Sequence, residues 1–344
     1  MTASPGEIVS SGPFKFISKG AIVQEWIVGG RNIVLGFHDP AEYANNPAFF
    51  GATIGRVANR LANGEIKDIP HEGDTHPLPV NNGPNTLHGG ISGWDKKHWQ
   101  GPVKTYLGDG SESLLYSYHS PHLDEQFPGA LDVTVRYTIK DEKQDGTDVS
   151  VLVIEYTAQL SEDSPEGWAV VSMTNHSYFH IGDKTTIEGT QVTITNNTNI
   201  ETNEVDIPTG KFKQFPGIES GKPFDLGPEE PDIDHGFALT TDVANVPLDT
   251  RSLEESTCIK FYHPSTGINL VVSSTEPAFQ FYTGKYIDSP ARADGTPAFS
   301  KRAGFCVEPA RYTNAANMPE WKNMVLLQKG GTYGSKTTWR AWKS

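Results

Sequence analysis

Cysteine is scarce in this 344-residue chain, which carries only Cys258 and Cys306, far apart in sequence. Two thiols build neither a disulfide framework nor a zinc knuckle; they suit a reducing compartment, with a single disulfide left open. Basic residues are also few: 28 Lys and Arg stand against 42 Asp and Glu, a net charge of −14. That surface repels a phosphate backbone and anionic lipid, which argues against nucleic-acid and membrane partners and leaves neutral small molecules. No apolar run approaches the 18 residues of a membrane span. The stretch MTASPGEIVSSGPFKF lacks the basic and apolar regions of a secretory leader. A soluble, cytoplasmic protein is therefore expected, and the glycosylation sequons at Asn175 and Asn196 are expected to go unused.

Long helical stripes are missing too, whereas glycine (34) and proline (24) are plentiful. Many turns with many aromatics indicate short strands joined by loops. The clearest signal is period-2 alternation over residues 131–139 and again over 149–157, separated by the polar turn 140–146, which predicts an antiparallel hairpin. Val, Ile, Thr and aromatic enrichment predicts further strands at 14–17, 21–28, 32–36, 114–119, 168–179, 191–194, 237–240, 259–262, 268–273, 278–282, 304–307 and 337–342. One helical turn is expected over 41–46, stopped by Pro47. Residues 216–234 read as a long surface loop. With no linker and no repeat, the expectation is one domain over residues 1–344: all-β, a large antiparallel β-sandwich with function at loops and strand ends.

Five segments interrupt this pattern. Gly51 to Leu61 carries Arg56 and Arg60 without a phosphate-loop signature. An Arg fork there could fix hydroxyls, but on the segment alone the favoured reading is two surface salt-bridge partners. Residues 81–90, NNGPNTLHGG, set His88 before two glycines and lead to Trp94 and Trp99, which are either core or sugar-facing rings. His176 and His180 stand four apart in a β-prone segment; HExxH is absent, no third metal ligand can be placed, and a satisfied histidine is the plainer reading. Asp234 and His235 abut a strand at a loop exit, as a hydroxyl-binding carboxylate or a turn Asp. Glu308 ends an apolar strand just before Pro309, where desolvation would make it a general base; the alternative is a salt-bridged Glu at a sheet rim. GxSxG is absent, and Cys306 sits in an apolar strand where a thiol is inert.

Taken in order, GRVANR (55–60), NNGPNTLHGG (81–90), TNHSYF (174–179), DHGF (234–237), FQFYTG (279–284) and FCVEP (305–309) resemble the aldose 1-epimerase (galactose mutarotase) family over nearly the whole chain. The resemblance implies a β-sandwich of the galactose mutarotase type that needs no metal or cofactor and acts on a small-molecule sugar, as a monomer or homodimer. It implies Glu308 as general base, His176 as general acid and His88 as assisting through a hydrogen bond near the ring oxygen. It implies Asn59, Arg60, Asp234 and Gln280 as sugar contacts. The chain departs from the family at Ala310-Arg-Tyr-Thr-Asn314, where Ala310 loses a hydrogen-bonding side chain and Arg311 adds a charge, and at His180. The alternatives are a non-catalytic carbohydrate-binding or regulatory protein on the same fold, or an enzyme for an unusual hemiacetal.

Overall fold

The structure, a computed structural model, describes residues 7–144 and 146–344. Residues 1–6 of the stretch read against a leader, and Asp145 of the polar turn, lie outside the described residues.

Alternation builds the architecture. Leu131–Gln144 pairs antiparallel with Thr147–Leu160, from Leu131 opposite Leu160 to Gln144 opposite Thr147. Leu131, Val133, Val135, Tyr137 and Ile139 are buried. The strands run well past the expected turn. Beyond the core a hairpin arm keeps its backbone ladder with polar side chains on both faces, helped here by Lys143–Asp148 and Arg340–Glu142 ion pairs, each at 2.9 Å.

This hairpin is the middle of a nine-stranded sheet. Its order is Gln100–Tyr106, Glu112–Ser120, Leu131–Gln144, Thr147–Leu160, Tyr333–Lys343, Ile268–Ser274, Ser256–His263, Gln191–Ile194 and Phe224–Asp225. A six-stranded sheet runs Tyr178–Phe179, Phe305–Ala310, Ala278–Tyr282, Asp234–Ala238, Thr198–Thr202 and Pro208–Gln214. Both are antiparallel throughout. Their apolar faces meet: the ring of Phe261 stacks on Phe305 at 4.1 Å and lies 5.7 Å from Phe281. A four-stranded sheet, Ile8–Ser11 to Arg31–Asn32, adds Phe14, Phe16 and Trp26 to the same core. The chain thus forms the expected all-β antiparallel sandwich. Its described helices are short 3-10 turns; one, Pro40–Asn45, matches the expected turn and is capped by Asp39, which accepts from the Ala41 N–H at 2.8 Å. No helix among the described residues is long and apolar enough to cross a membrane.

Some expectations change. Residues 168–179 form three short strands, because the segment switches partners: Trp168–Val170 pairs with Leu326–Gln328, Thr174–Asn175 with Thr53–Ile54, and Tyr178–Phe179 with Phe305–Ala310. Residues 216–234 include the edge strand Phe224–Asp225. Both cysteines are free and buried, which closes the disulfide option. Asn175 is buried, donating to the Gly51 carbonyl and accepting from Ser177, so the folded chain hides that sequon. Trp94 and Trp99 are core, with Trp99 Nε1 donating to the Trp94 carbonyl. Arg56 is no surface residue: it is buried and donates to the carbonyls of Pro128 (2.8 Å), Gly129 (2.7 Å) and Pro121 (3.2 Å) and to Ser120 Oγ (2.7 Å), tying a loop to the core.

Arg311 is likewise buried. It pairs with the buried Glu276, donates to the carbonyls of Leu248 (2.7 Å), Met324 (3.0 Å) and Gly334 (3.2 Å), and lies over the Tyr333 ring. Arg311→Met strands Glu276 without its cation. The expected cost is about 3–5 kcal/mol, read as a lower urea midpoint at unchanged slope. A loss under 1 kcal/mol would show the pair to be dispensable.

Candidate active site

The six-stranded sheet turns one face away from the core, and strand periodicity decides what lies there. Phe305 and Val307 point into the sandwich core, so Cys306 and Glu308 point to the other side. Register then lines up neighbours: Glu308 faces Gln280, which faces Gly236, and Cys306 faces Tyr282, which faces Asp234. His176 enters from the segment between Thr174–Asn175 and Tyr178–Phe179. His88 and Asn59 form a reciprocal clasp, with His88 N–H donating to the Asn59 carbonyl at 3.0 Å and Asn59 N–H donating to His88 Nδ1 at 3.2 Å. Gly89 makes the clasp possible: its φ is +82°, and a Cβ would sit 1.9 Å from the Gly55 carbonyl oxygen.

Together these residues line a cavity of about 230 Å³. Its walls include Glu308, His176, His88, Asn59, Arg60, Asp234 and Gln280, so the seven residues that the family resemblance implies as acid–base groups and sugar contacts converge on one place. The volume lies below the roughly 300–1,000 Å³ of drug-sized sites and suits a small ligand. Arg60 is largely buried, donating to Asn82 Oδ1 (3.0 Å) and Asn59 Oδ1 (3.2 Å) and pairing with Asp206 (3.2 Å); the surface reading of this residue is corrected. Gln280 Nε2 donates to Asp234 Oδ1 at 2.7 Å, which fixes both side chains. Glu308 sits on an interior strand of its sheet and is buried, away from any rim. His180 does not join the cavity, and its Nε2 is buried without a partner among the described residues. Nor do residues 310–314 line it, and the Arg311 charge is spent on Glu276.

Electrostatics separate the central groups. His176 Nε2 lies 3.6 Å from Glu308 Oε1, and both are buried. Burial, with the Asp234 charge adding to it, pushes the Glu308 carboxyl up to about 8, against the pull of Arg60. Burial pushes His176 down to about 4. His88 is held well below the ordinary histidine value by burial and by neighbouring His176, Arg60 and Lys96. Burial raises Asp234 as well, while the Gln280 hydrogen bond and Arg60 lower it. Since His88 Nδ1 accepts from Asn59, its proton rests on Nε2, and the neutral ring is a fixed donor.

One ligand atom each from His88, His176 and Glu308 lies within 4.8 Å of the others, the spacing of a metal triad. The donor chemistry does not fit one: the His88 nitrogen left for a metal carries the proton, and its lone pair on Nδ1 is already engaged. What the arrangement can do is move a proton between two groups 3.6 Å apart, with a fixed donor and a carboxylate–amide pair to hold hydroxyls.

Sequence reasoning missed Phe49, Asn82, Leu87, Tyr178, Tyr282 and the exposed Tyr286, all of which line the cavity. Tyr178 and Tyr282 lay two positions from His176 and Gln280, within reach of period-2 reasoning. Phe49 carried no signal.

A sequence model of the aldose 1-epimerase family matches residues 11–340. The bifunctional protein gal10 of Schizosaccharomyces pombe is 37% identical over 325 residues, 92% of this chain and 42% of that protein, so the chain spans less than half of its length. The galactose mutarotases of Sus scrofa and Homo sapiens are 36% and 35% identical over 317 residues, each covering 90% of this chain and 83% of theirs. Among solved structures, the GalM/aldose epimerase homologue from C. elegans superposes with a TM-score of 0.78 at 22% identity, covering 96% of this chain and 95% of that one. Galactose 1-epimerase from Lactobacillus acidophilus gives 0.74 at 19% identity, covering 98% and 94%. Those two share the fold; the sequence matches carry the relationship further, and by them the chain belongs to the aldose 1-epimerase family.

Proposed function

We propose that the chain interconverts the α and β anomers of a free aldose by opening and reclosing the ring. The observation that carries this reading is the buried Glu308–His176 pair, 3.6 Å apart, in a cavity walled by hydroxyl-binding groups. Ring opening takes the proton from O1–H and delivers one to O5; the C1–O5 bond breaks and C1=O1 forms. Rotation about C1–C2 then offers the other carbonyl face, and the same transfers run backwards. Glu308 serves as base at O1 and His176 as acid at O5, so the cyclic sugar binds with the proton on His176. After opening, the proton is on Glu308 and the imidazole is neutral.

The directions of the two shifts match that second state: at neutral pH they favour the proton on the carboxyl over the imidazole. The sequence-based expectation of an ionised Glu308 beside a protonated His176 therefore describes the cyclic-sugar complex, reached by one proton shift across the pair. His88 donates from Nε2 to a sugar oxygen, and Asn59, Arg60, Asp234 and Gln280 hold the remaining hydroxyls. Two buried free thiols suit a reducing, cytoplasmic setting. Site residues drawn from position 59 to 308 support a single domain.

Polarimetry of freshly dissolved α-D-galactose, α-D-glucose and pentoses tests the reading. Faster decay to equilibrium rotation is expected for at least one sugar, and no acceleration for any would overturn it in favour of a binding protein. The same assay gives a pH profile. The pair holds one proton between about 4 and about 8. Below that window His176 gains a second; above it Glu308 loses the first. Since kcat/KM reports the free enzyme, a bell with limbs near those values is expected, and a rate still rising above pH 9 would contradict the assignment.

A further inference from the structure

We propose that Phe49 is a positioning residue: its ring is the apolar wall that sets the orientation of His88 and His176 together and keeps water from both. The inference rests on the aldose-epimerase reading of the cavity.

Phe49 lies 4.9 Å from the His88 ring, edge to face, and 5.5 Å from the His176 ring, while those two rings are 5.1 Å apart and perpendicular. The three rings form one cluster on the cavity wall. The Phe49 ring also receives Lys96, whose Nζ stands 5.1 Å from the ring centroid.

The chain is bent to put it there. Phe49 has φ +60°, a left-handed conformation that a bulky side chain rarely adopts. The bend sends neighbouring side chains apart: Phe50 goes into the core against Phe37 and Tyr178, and Phe49 goes into the cavity. Asn46 holds the bend, accepting from Phe50 N–H at 2.9 Å and donating to the Phe50 carbonyl at 3.2 Å. The loop is then bonded to the catalytic segment in both directions, Gly51 N–H to the His176 carbonyl (3.2 Å) and His176 N–H to the Ala52 carbonyl (2.8 Å). A strained aromatic held this firmly against two functional rings is doing more than filling space.

The other groups facing the imidazoles are Glu308 and Cys306 at His176, the latter with Sγ 3.5 Å from Nδ1, the Tyr178 ring beside it, and Asn59, Arg60 and Lys96 at His88. Among the ring contacts of the described residues Tyr178 reaches only His176, at 5.1 Å, whereas Phe49 reaches both imidazoles. Removing the ring admits water, so both histidines should titrate closer to the ordinary histidine range.

Phe49→Gly removes the ring and suits the left-handed backbone; Phe49→Ala is the second variant, and Phe49→Tyr keeps the ring. Two readouts are needed: kcat/KM against pH by polarimetry, and histidine titration by NMR, which needs no activity. For the Gly and Ala variants kcat is expected to fall roughly 10²-fold, with KM changed less. The acid limb and the histidine midpoints are expected to rise by about one pH unit or more as desolvation is relieved. Phe49→Tyr should restore the rate and both midpoints. Folded Gly and Ala variants with unmoved limb and unmoved histidine titration would overturn the proposal and leave Phe49 as loop packing. A wild-type protein without mutarotation, whose histidine midpoints still rise on losing the ring, would overturn the functional reading while sustaining the positioning role.

Discussion

Glu308→Gln is expected to lower kcat by about 10²–10⁴-fold while sugar affinity changes little. Gln keeps the shape of the side chain and its place opposite Gln280, but it cannot take the O1 proton. The contacts proposed for the other hydroxyls, from Arg60, Asp234, Gln280 and Asn59, are untouched, so calorimetric binding of the sugar should survive. The variant should also be no less stable at and above pH 8. A folded-state carboxyl raised to about 8 binds its proton where the unfolded one has lost it, so stability falls as pH rises from the unfolded value through about 8. Removing the titration removes that fall. Loss of activity with retained binding and retained fold is the signature of a proton carrier. A folded Glu308→Gln protein with wild-type kcat would refute the role given to Glu308.

His176→Asn is expected to give a loss of similar size, about 10²–10⁴-fold in kcat. Asn is short of Nε2 and carries no transferable proton, so O5 must leave as an alkoxide or wait for water. The acid limb of kcat/KM near 4 should vanish, because that limb belongs to His176; the limb near 8 should remain, because burial and Asp234 still raise Glu308. This pattern separates His176 from His88, which is held neutral and donates without titrating in the working range. A His176→Asn protein that keeps its rate would move the acid role elsewhere, with His88 the first residue to test.

Period 2 made much of the fold readable. The strands 14–17, 191–194 and 278–282 were legible to the residue, and the central hairpin was legible in kind if not in length. Residues 168–179 were not, since uniform β propensity says nothing of a change of partner. The strand holding Asp234 was read as starting at Phe237, because Asp234 and His235 look like loop residues until Tyr282 and Phe281 are known to face them.

The sequence by itself singled out the candidate side chains and the strands that carry Gln280 and lead to Glu308; in the structure Phe305, Val307, Phe279 and Phe281 are core, and Glu308 and Gln280 alternate with them and face the other way. Tertiary structure alone decided the rest. It brought residues 59, 88, 176, 234, 280 and 308 to one cavity, and it sent Arg56 and Arg311, equally conspicuous in the sequence, into structural pairings elsewhere. It also decided where the proton rests. Desolvation depends on what surrounds a group in space, and the walls that dry out Glu308 and His176 include segments more than a hundred residues away along the chain, Phe49 among them.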